Sequence, residues 1–243
     1  MRVIDAVWEK RNLGVDAVEI IVEACDSIEE IVRVLDQYND VGYTVVKCPS
    51  DYPEAVATIQ ISGFSMIEAT MSLSIKTTDL KVHPRFEGLI QRCSYSEMSE
   101  NDIEFMEDQI RKGLFSTDRI SIDPVFSREI ASRRYINWIR DLIKKGTPCI
   151  KVLFDGNPVG FFISSKISDT VYDGVLAAVY ESFMNSGMGY FVQWAGVDYV
   201  RSLGAKKYLG HISLNNPSVL KILLSLGYNN SNIQYVFVRH GGF

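Results

Sequence analysis

"FMNSGMGYFVQW", residues 183–194, sets two glycines two apart in an apolar stretch where a strand signal gives way to a helix signal. Glycine inside a helix costs roughly 1 kcal/mol relative to alanine, so Gly187 and Gly189 call for a local reason. The strand signal "DGVLAAV" ends at Val179 and the chain then runs through "YESFMNSGMGY". Met188, Val192, Ala195, Tyr199 and Leu203 recur at helical spacing, which predicts an amphipathic helix reaching Gly204. The first N–H groups of such a helix have no intrahelical partners, and its dipole favours negative charge there. Glycines at that entry let a pyrophosphate approach the backbone; the plain alternative is a tight turn that binds nothing. No Lys-Ser/Thr follows, as a Walker loop requires, and only two of the three glycines of a dinucleotide fingerprint are present.

Around this turn the sequence alternates strand and helix signals. "VDAVEIIVEA" and "GYTVVKCP" read as strands, with the helix "SIEEIVRVLDQYND" between them, Ser27 at its N-cap and Glu30 three residues on. "YPEAVATIQISG" is a short helix, and "FSMIEATMSLSI" alternates as a half-buried strand does. The polar stretch 77–86 reads as a linker, dividing a unit 1–82 from a unit 83–243. The second unit opens with a strand near "GLIQRCSY". A helix from Ser99, the loop "FSTDRISIDPVFS" and a helix "REIASRRYINWIRDLIKKG" closed by Gly146 follow. "CIKVLF" and "PVGFFISSK" flank "DGN", a strong hairpin signal. After the glycine-bearing helix come the strand "KKYLGHISL", the helix "NPSVLKILLSLG" and a last strand "IQYVFVRH", able to extend a sheet across a homodimer. "AVATIQISGFSMIEATMSLSI" and "VLKILLSLGYNNSNIQYVFVR" share one grammar of short helix, Gly-aromatic and alternating strand. This internal echo points to two parts built on one half-fold.

Composition narrows the function. A chain of 243 residues with 47% apolar and 23% charged residues has the make-up of a globular protein with a real core. A net charge of -5 argues against a general nucleic-acid binder, whose footprint would be basic. No run of about 18 apolar residues is present to span a membrane, and "MRVIDAVWEKRN" lacks the apolar core of a signal peptide. Cys25, Cys48, Cys93 and Cys149 are scattered, as are His83, His211 and His240. Neither a disulfide framework nor a metal centre is expected, and a cytoplasmic setting with reduced thiols is.

The glycine-bearing turn resembles the acetyl-CoA pyrophosphate loop of the GNAT acyltransferase family, where a strand valine is followed by Q/R-x-x-G-x-G/A before a long helix. Val179 stands as that valine, and Met184, Asn185, Ser186, Gly187, Met188 and Gly189 fall on the loop, followed by Tyr190. Met184 replaces the usual Gln or Arg, and Asn185 a frequent glycine. "SLNNPSVLKILLSLGY" is similar to the family's N-x-x-A-x-x-L-Y-x-x-L-G-F segment, with Asn216, Val219, Leu223, Leu226, Gly227 and Tyr228 in register. Asn216 either contacts the pantetheine arm or caps the helix ahead of Pro217. Leu223 falls where many family members carry the tyrosine that protonates the departing thiolate, and leucine has no proton to give.

Trp8, Gly14, Val15, Arg119, Tyr135, Trp138 and Ile139 match short motifs of the dTDP-fucosamine acetyltransferase branch. These run from "WEKRNLGVDAVEI" through "LFSTDRISIDPVF" to "RRYINWI". The resemblance implies a GNAT fold, α/β of the α+β kind: a mixed, mainly antiparallel sheet with flanking helices, preceded by a smaller GNAT-like α/β half-domain. It also implies acetyl-CoA as cosubstrate, no metal, and the primary amine of a nucleotide-linked amino-deoxy sugar as acceptor, attacking in a ternary complex. A family member acting on a protein or peptide amine, or one that binds acyl-CoA without transfer, are the rival readings.

Such an attack needs a base for the amine and an oxyanion donor near Val179. Glu181, just past the strand, and His211, within the last-but-one strand, are the candidates, against the readings of a solvated carboxylate and a structural histidine. Asp173 reads as a turn residue. Arg119 fits a nucleotide diphosphate or an interdomain salt bridge. Tyr135 and Trp138, three apart on one helix, fit the acceptor or the core.

Overall fold

The computed structural model describes residues 1–241. The first half runs β1 (Arg2–Asp5), α1 (Val7–Leu13), β2 (Ala17–Ile21), α2 (Ile28–Gln37), β3 (Tyr43–Pro49), α3 (Pro53–Ile61) and β4 (Ser65–Lys76). The second begins with α4 (Pro84–Ile90), β5 (Cys93–Glu97), α5 (Glu100–Arg111), α6 (Arg119–Ile122) and α7 (Arg128–Lys144). It continues with β6 (Cys149–Phe154), β7 (Asn157–Ser168), β8 (Val171–Val179), α8 (Met188–Ser202), β9 (Lys207–Ser213), α9 (Pro217–Leu226) and β10 (Asn229–His240).

Local signals place these elements. The Ser27 hydroxyl accepts from the Glu30 N–H at 3.2 Å, Ser99 and Asp102 form a capping box, and Asn216 accepts from the Val219 N–H at 3.3 Å with Pro217 at the first helical position. Asp155 and Gly156, at φ 49° and 77°, make the tight turn that joins β6 to β7. Residues 77–86 differ from the expected linker. They form a 3-10 turn and the start of α4, and the strand near "GLIQRCSY" begins only at Cys93. His83 caps α4 with Pro84 at its first position, and Phe86 lies 4.2 Å from the Tyr190 ring. The segment is part of the second half's core.

All ten strands form one mixed, mostly antiparallel sheet, in the order β1-β2-β3-β10-β4-β9-β8-β7-β6-β5. Parallel pairs occur only at β2/β3 and β8/β9, each joined across a helix. The order of the central six strands is symmetric: β2-β3-β10 mirrors β8-β9-β4. Each half therefore lends its closing strand to the other, β4 pairing with β9 and β10 with β3. The echo between the α3–β4 and α9–β10 sequences is this exchange. β10 lies inside the sheet, contrary to its expected place at a dimer-forming edge; the edges are β1 and β5. Exchange buries both sides of both closing strands' hydrogen-bonding groups, which an edge strand leaves open.

Helix α7 packs on both halves, its Ala131 in a cluster with Tyr43 and Val236, its Tyr135 and Ile139 in one with α5, Cys149 and Phe161. It thus bridges the halves on one face. The opposite face is covered by α2 and α3 over Ile20, Val46 and Phe237, and by α8 and α9 over Leu73, Phe162 and Tyr208. Among the described residues no helix is long and apolar enough to cross a membrane.

On α5, Asp102 also accepts from Lys151 of β6 at 2.7 Å; with the Lys151 bond as the largest cause and the Ser99 bonds next, its carboxyl is held down to about 2. A depressed carboxyl stabilises the fold fully above its unfolded value near 4 and loses this as pH falls through the folded value. Asp102→Asn is expected to cost about 1 kcal/mol at pH 7, given solvent screening of a partly open pair. Urea midpoints of the two proteins should converge between about pH 4 and 2; a difference that persists at pH 2 would show that the cap's shape, not its charge, carries the effect.

Candidate functional site

β8 and β9 pair in parallel from Val171/Lys207 only to Gly174/Gly210. β8 then continues along β7 to Val179 while β9 continues along β4 to Ser213, so the two strands part. At the fork β8 shifts register against β7, Leu176 pairing with Ile163 and Gly174 with Ser164, so that Val175 is the extra residue. A Cβ on Gly174, the last residue paired with β9, would lie 2.9 Å from the Tyr208 hydroxyl. Tyr208 is pinned there by a 2.6 Å hydrogen bond to Ser164. Beyond the fork, the β9-facing backbone groups of β8 have no ladder partner.

A cleft of about 380 Å³ opens at the fork, walled by Gly174, Ala177, His211, Asn216, Leu223 and Tyr228 among others. A second cavity, of about 420 Å³, shares Lys47, Arg119, Arg134 and Trp138 with it. This second space has Trp8 and Trp138 at its walls and five cations, Arg11, Lys47, Arg119, Arg134 and Lys145, against the carboxylates Glu19 and Asp141. Beneath it Glu9, 1% exposed, accepts from Arg119 at 3.1 Å and from Arg134 at 2.8 and 2.9 Å. α1 of the first half and α6 and α7 of the second are thus joined by ion pairs.

The glycine-bearing loop sits at the end of β8, outside the walls of both cavities. Asn185 and Gly187 have φ of 60° and 86°, the left-handed region, and Gly187 is the N-cap of α8 with no side-chain cap. A Cβ on Gly187 would meet nothing within 4 Å, whereas one on Gly189 would lie 3.1 Å from Ile222 of α9. Gly187 is thus required by backbone conformation and Gly189 by helix packing. Ser186 turns its hydroxyl back to the Phe183 carbonyl, and Met188 opens the helix. Val179 lies 3.8 Å from the Gly189 Cβ position. The Tyr190 side chain points away into the core, accepting from the His83 N–H at 3.0 Å.

Other expected site residues divide. His211, Asn216, Arg119, Tyr135 and Trp138 all wall the fork cleft. Asn216 is cap and wall at once, and Arg119 is both an ion-pair partner of the first half and a cleft residue. Tyr135 is buried and stacked on Phe115, while Trp138 is 38% exposed. Glu181 is exposed and outside the cleft walls. The His211 Nδ1 lies 3.2 Å from the Ser72 hydroxyl, at hydrogen-bond distance, and its Nε2 lies 3.6 Å from Asp173, beyond it. Burial raises the Asp173 carboxyl, and the facing imidazole pulls it back. Among the described residues no group of three His, Cys, Asp or Glu is placed to hold a metal ion.

Several cleft residues carried no signal in the sequence. Glu68 and Thr70 arrive from β4 of the first half, Lys47 from β3 and Arg134 from α7. Glu68 is 7% exposed and its Oε2 has no hydrogen-bond partner among the described residues. Burial raises its carboxyl, with the Ser213 hydroxyl and Arg119 pulling the other way.

No protein-family model matches the chain, and no curated protein matches it in sequence. Solved structures do match in shape. A GCN5-related N-acetyltransferase from Kribbella flavida is 13% identical, with 93% of this chain and 82% of that one covered and a TM-score of 0.59. A tandem GNAT protein from the clavulanic acid biosynthesis pathway is 10% identical, covering 93% and 76%, at a TM-score of 0.57. The glucosamine N-acetyltransferase region of a fungal multi-domain β-N-acetylglucosaminidase is 9% identical, covering 92% of this chain and 30% of that one, at a TM-score of 0.65. What is shared at these identities is the fold. The chain has the GNAT N-acetyltransferase fold, in the tandem form.

Proposed function

We propose that this protein is an acetyl-CoA-dependent N-acetyltransferase acting on the primary amine of a nucleotide-linked amino-deoxy sugar. One observation carries the reading: the fork cleft, with its unpaired β8 backbone, shares a wall with a cationic, tryptophan-lined cavity. The first space suits an extended pantetheine arm, which pairs with a free strand edge as an added strand does. The second suits a nucleoside diphosphate. Guanidinium groups of Arg119 and Arg134 match phosphate oxygens, and Trp8 and Trp138 offer stacking faces for a base or sugar.

Acetyl-CoA supplies an acetyl group activated as a thioester. The chain's own groups would hold it at Val179, at Asn216 and at the backbone N–H groups of residues 185–190 on the α8 N-terminus other than those of Ser186 and Tyr190, which donate to the Phe183 and Gly187 carbonyls. The free N–H groups of β8 past the fork are the donors in this reading for the thioester carbonyl oxygen. Leu223 walls the same cleft without a proton to give. Tyr228, whose hydroxyl burial keeps protonated, stands on that wall as the group able to meet a leaving thiolate in this reading. Holding amine and thioester together in such a site accounts for on the order of 7–11 kcal/mol of the barrier.

The test is incubation with acetyl-CoA and a panel of dTDP- and UDP-linked amino hexoses and peptide amines, following free thiol release. Saturable release with at least one nucleotide-linked amino hexose, rising with pH as more amine becomes neutral, is the expected result. Release with peptide amines alone would move the protein to another acceptor class. CoA binding without release from any amine would favour the non-catalytic reading that Leu223 keeps open.

A further inference from the structure

We propose that Glu68, on the strand the first half lends to the second, receives the acceptor's ammonium group and takes its proton. The assignment rests on the acetyltransferase reading above. The tandem fold puts Glu68 there: β4 runs antiparallel to β9 from Lys76/Lys207 to Thr70/Ser213, and the Leu214 N–H donates to the Ala69 carbonyl at 2.8 Å just beyond. Glu68 therefore lies past the open end of the fork. It walls the same cleft as Ala177, Leu223 and Tyr228 on one side and as Lys47, Arg119 and Arg134, shared with the cationic cavity, on the other. An acceptor with its anionic part among the cations and its amine toward the fork would pass this carboxylate.

The chemistry of the site singles it out. A buried acid with a free oxygen is costly unless something meets it, and Oε2 has no hydrogen-bond partner among the described residues. The groups acting on it are Ser213 on β9, Arg119 on α6 and Asp118, the N-cap of α6, and the same cleft wall holds His211 on β9, Lys47 on β3 and Arg134 on α7. Arg119 and Arg134 are held by Glu9, and Lys47 by Glu19 at 2.7 Å. The His211 Nδ1 is taken up by the Ser72 hydroxyl at 3.2 Å, and Glu181 is outside the cleft. Glu68 is the cleft-wall acid with an acceptor oxygen that no described residue occupies, buried just behind that wall. Burial, which raises its carboxyl above the ordinary glutamate range, makes it a stronger base than a solvated glutamate.

The step balances as follows. The ammonium gives one proton to the Glu68 carboxylate, and its nitrogen forms the C–N bond to the acetyl carbon as the C–S bond breaks. The electron pair of that bond leaves on sulfur, a second nitrogen-bound proton ends on sulfur as the thiol, and the third stays on the amide. Glu68 then returns its proton to solvent.

Glu68→Gln keeps the shape and removes the base; Glu68→Asp keeps the carboxylate with a shorter reach. Thiol release with the best acceptor of the panel, measured from pH 5.5 to 9, should show kcat about 10²–10⁴-fold lower in Glu68→Gln. The acid limb of the kcat profile should vanish, Glu68→Asp should keep an intermediate rate and the limb, and the CoA Kd from calorimetry should change less than about twofold. In the protein without substrates, ¹³C-carboxyl NMR of parent and Glu68→Gln should assign to Glu68 a titration above that of ordinary glutamates. A kcat within about threefold of the parent at every pH, a matching loss of CoA affinity, or an ordinary carboxyl titration each overturns the assignment. An active parent with an equally active variant sinks Glu68 alone. A parent that releases no thiol with any amine sinks the acetyltransferase reading, and Glu68 as its base with it.

Discussion

Gly187→Val should abolish measurable CoA binding while leaving the far-UV circular dichroism of the fold in place. Gly187 holds φ at 86°, where an L-residue loses about 1–2 kcal/mol and a β-branched one more. That strain is small beside the stability of a domain of this size and is confined to a loop between β8 and α8. The larger effect is on the ligand side. A side chain at Gly187 enters space where the protein has no atom within 4 Å, the space a pyrophosphate needs to reach the first N–H groups of α8. Charge-assisted hydrogen bonds of this kind contribute roughly 1.5–3 kcal/mol each, so losing two weakens binding by about 10²–10⁴-fold.

Gly189→Ala is the control, because its methyl would press on Ile222 of α9 at 3.1 Å, the movable end of a side chain. It should change CoA affinity by no more than a few fold. Calorimetry decides between the two glycines. A Gly187→Val protein that binds CoA as tightly as the parent would remove the loop from the site.

How far the sequence could be read follows the range of the interactions involved. Caps at Ser27, Ser99 and Asn216 and the Asp155-Gly156 turn are set by neighbours three residues apart or fewer, and each stands where its local signal put it. The repeated grammar of α3–β4 and α9–β10 was legible for the same reason. The exchange of the two closing strands was not, because it rests on pairings such as Val236 with Lys47 and Ser72 with His211, which no local pattern encodes. That is why β10 read as an edge, and why residues 77–86, polar and broken by Pro84, read as a linker although Phe86 is packed on Tyr190.

The site divides along the same line. Asn216 and Arg119 sit on motifs, His211 within a strand signal, and all three reach the cleft. Glu68 occupies the polar half of the alternation in "SMIEATMSLSI", where an acid looks solvent-facing. Only the strand order turns that face toward α6 and a cleft. Of the two readings of Arg119, the ion pair is seen, with Glu9 beneath it, and the ligand role stays a proposal resting on its place in the cavity wall above.

That Glu9 gives a stability effect as large as the loss of a core aromatic. Glu9 belongs to α1, whose partners on α7 include Arg134, and it is the one carboxylate bonded to both Arg119 and Arg134 among the described residues. The two guanidinium groups are each only 14% exposed, and Glu9 is the carboxylate in direct ion-pair contact with both. Glu9→Ala removes that contact from two partly buried cations and should destabilise the protein by about 3–5 kcal/mol. Glu9→Gln retains an acceptor oxygen and the packing, loses the charge, and should fall between the parent and the alanine variant. Urea unfolding at pH 7 gives the three midpoints directly.

A functional readout separates structure from charge. If the arginines serve the acceptor, Glu9→Gln should alter the acceptor KM well beyond any change in CoA Kd, since the cation pair is then freed from its internal carboxylate. An alanine variant as stable as the parent would mean that Arg119 and Arg134 reach solvent through the cavity when released. The fastening of α1 to α6 and α7 would then lie in the neighbouring bonds instead, Asn12 to Asn137 at 2.8 Å and Arg11 to Asp141 at 2.6 Å.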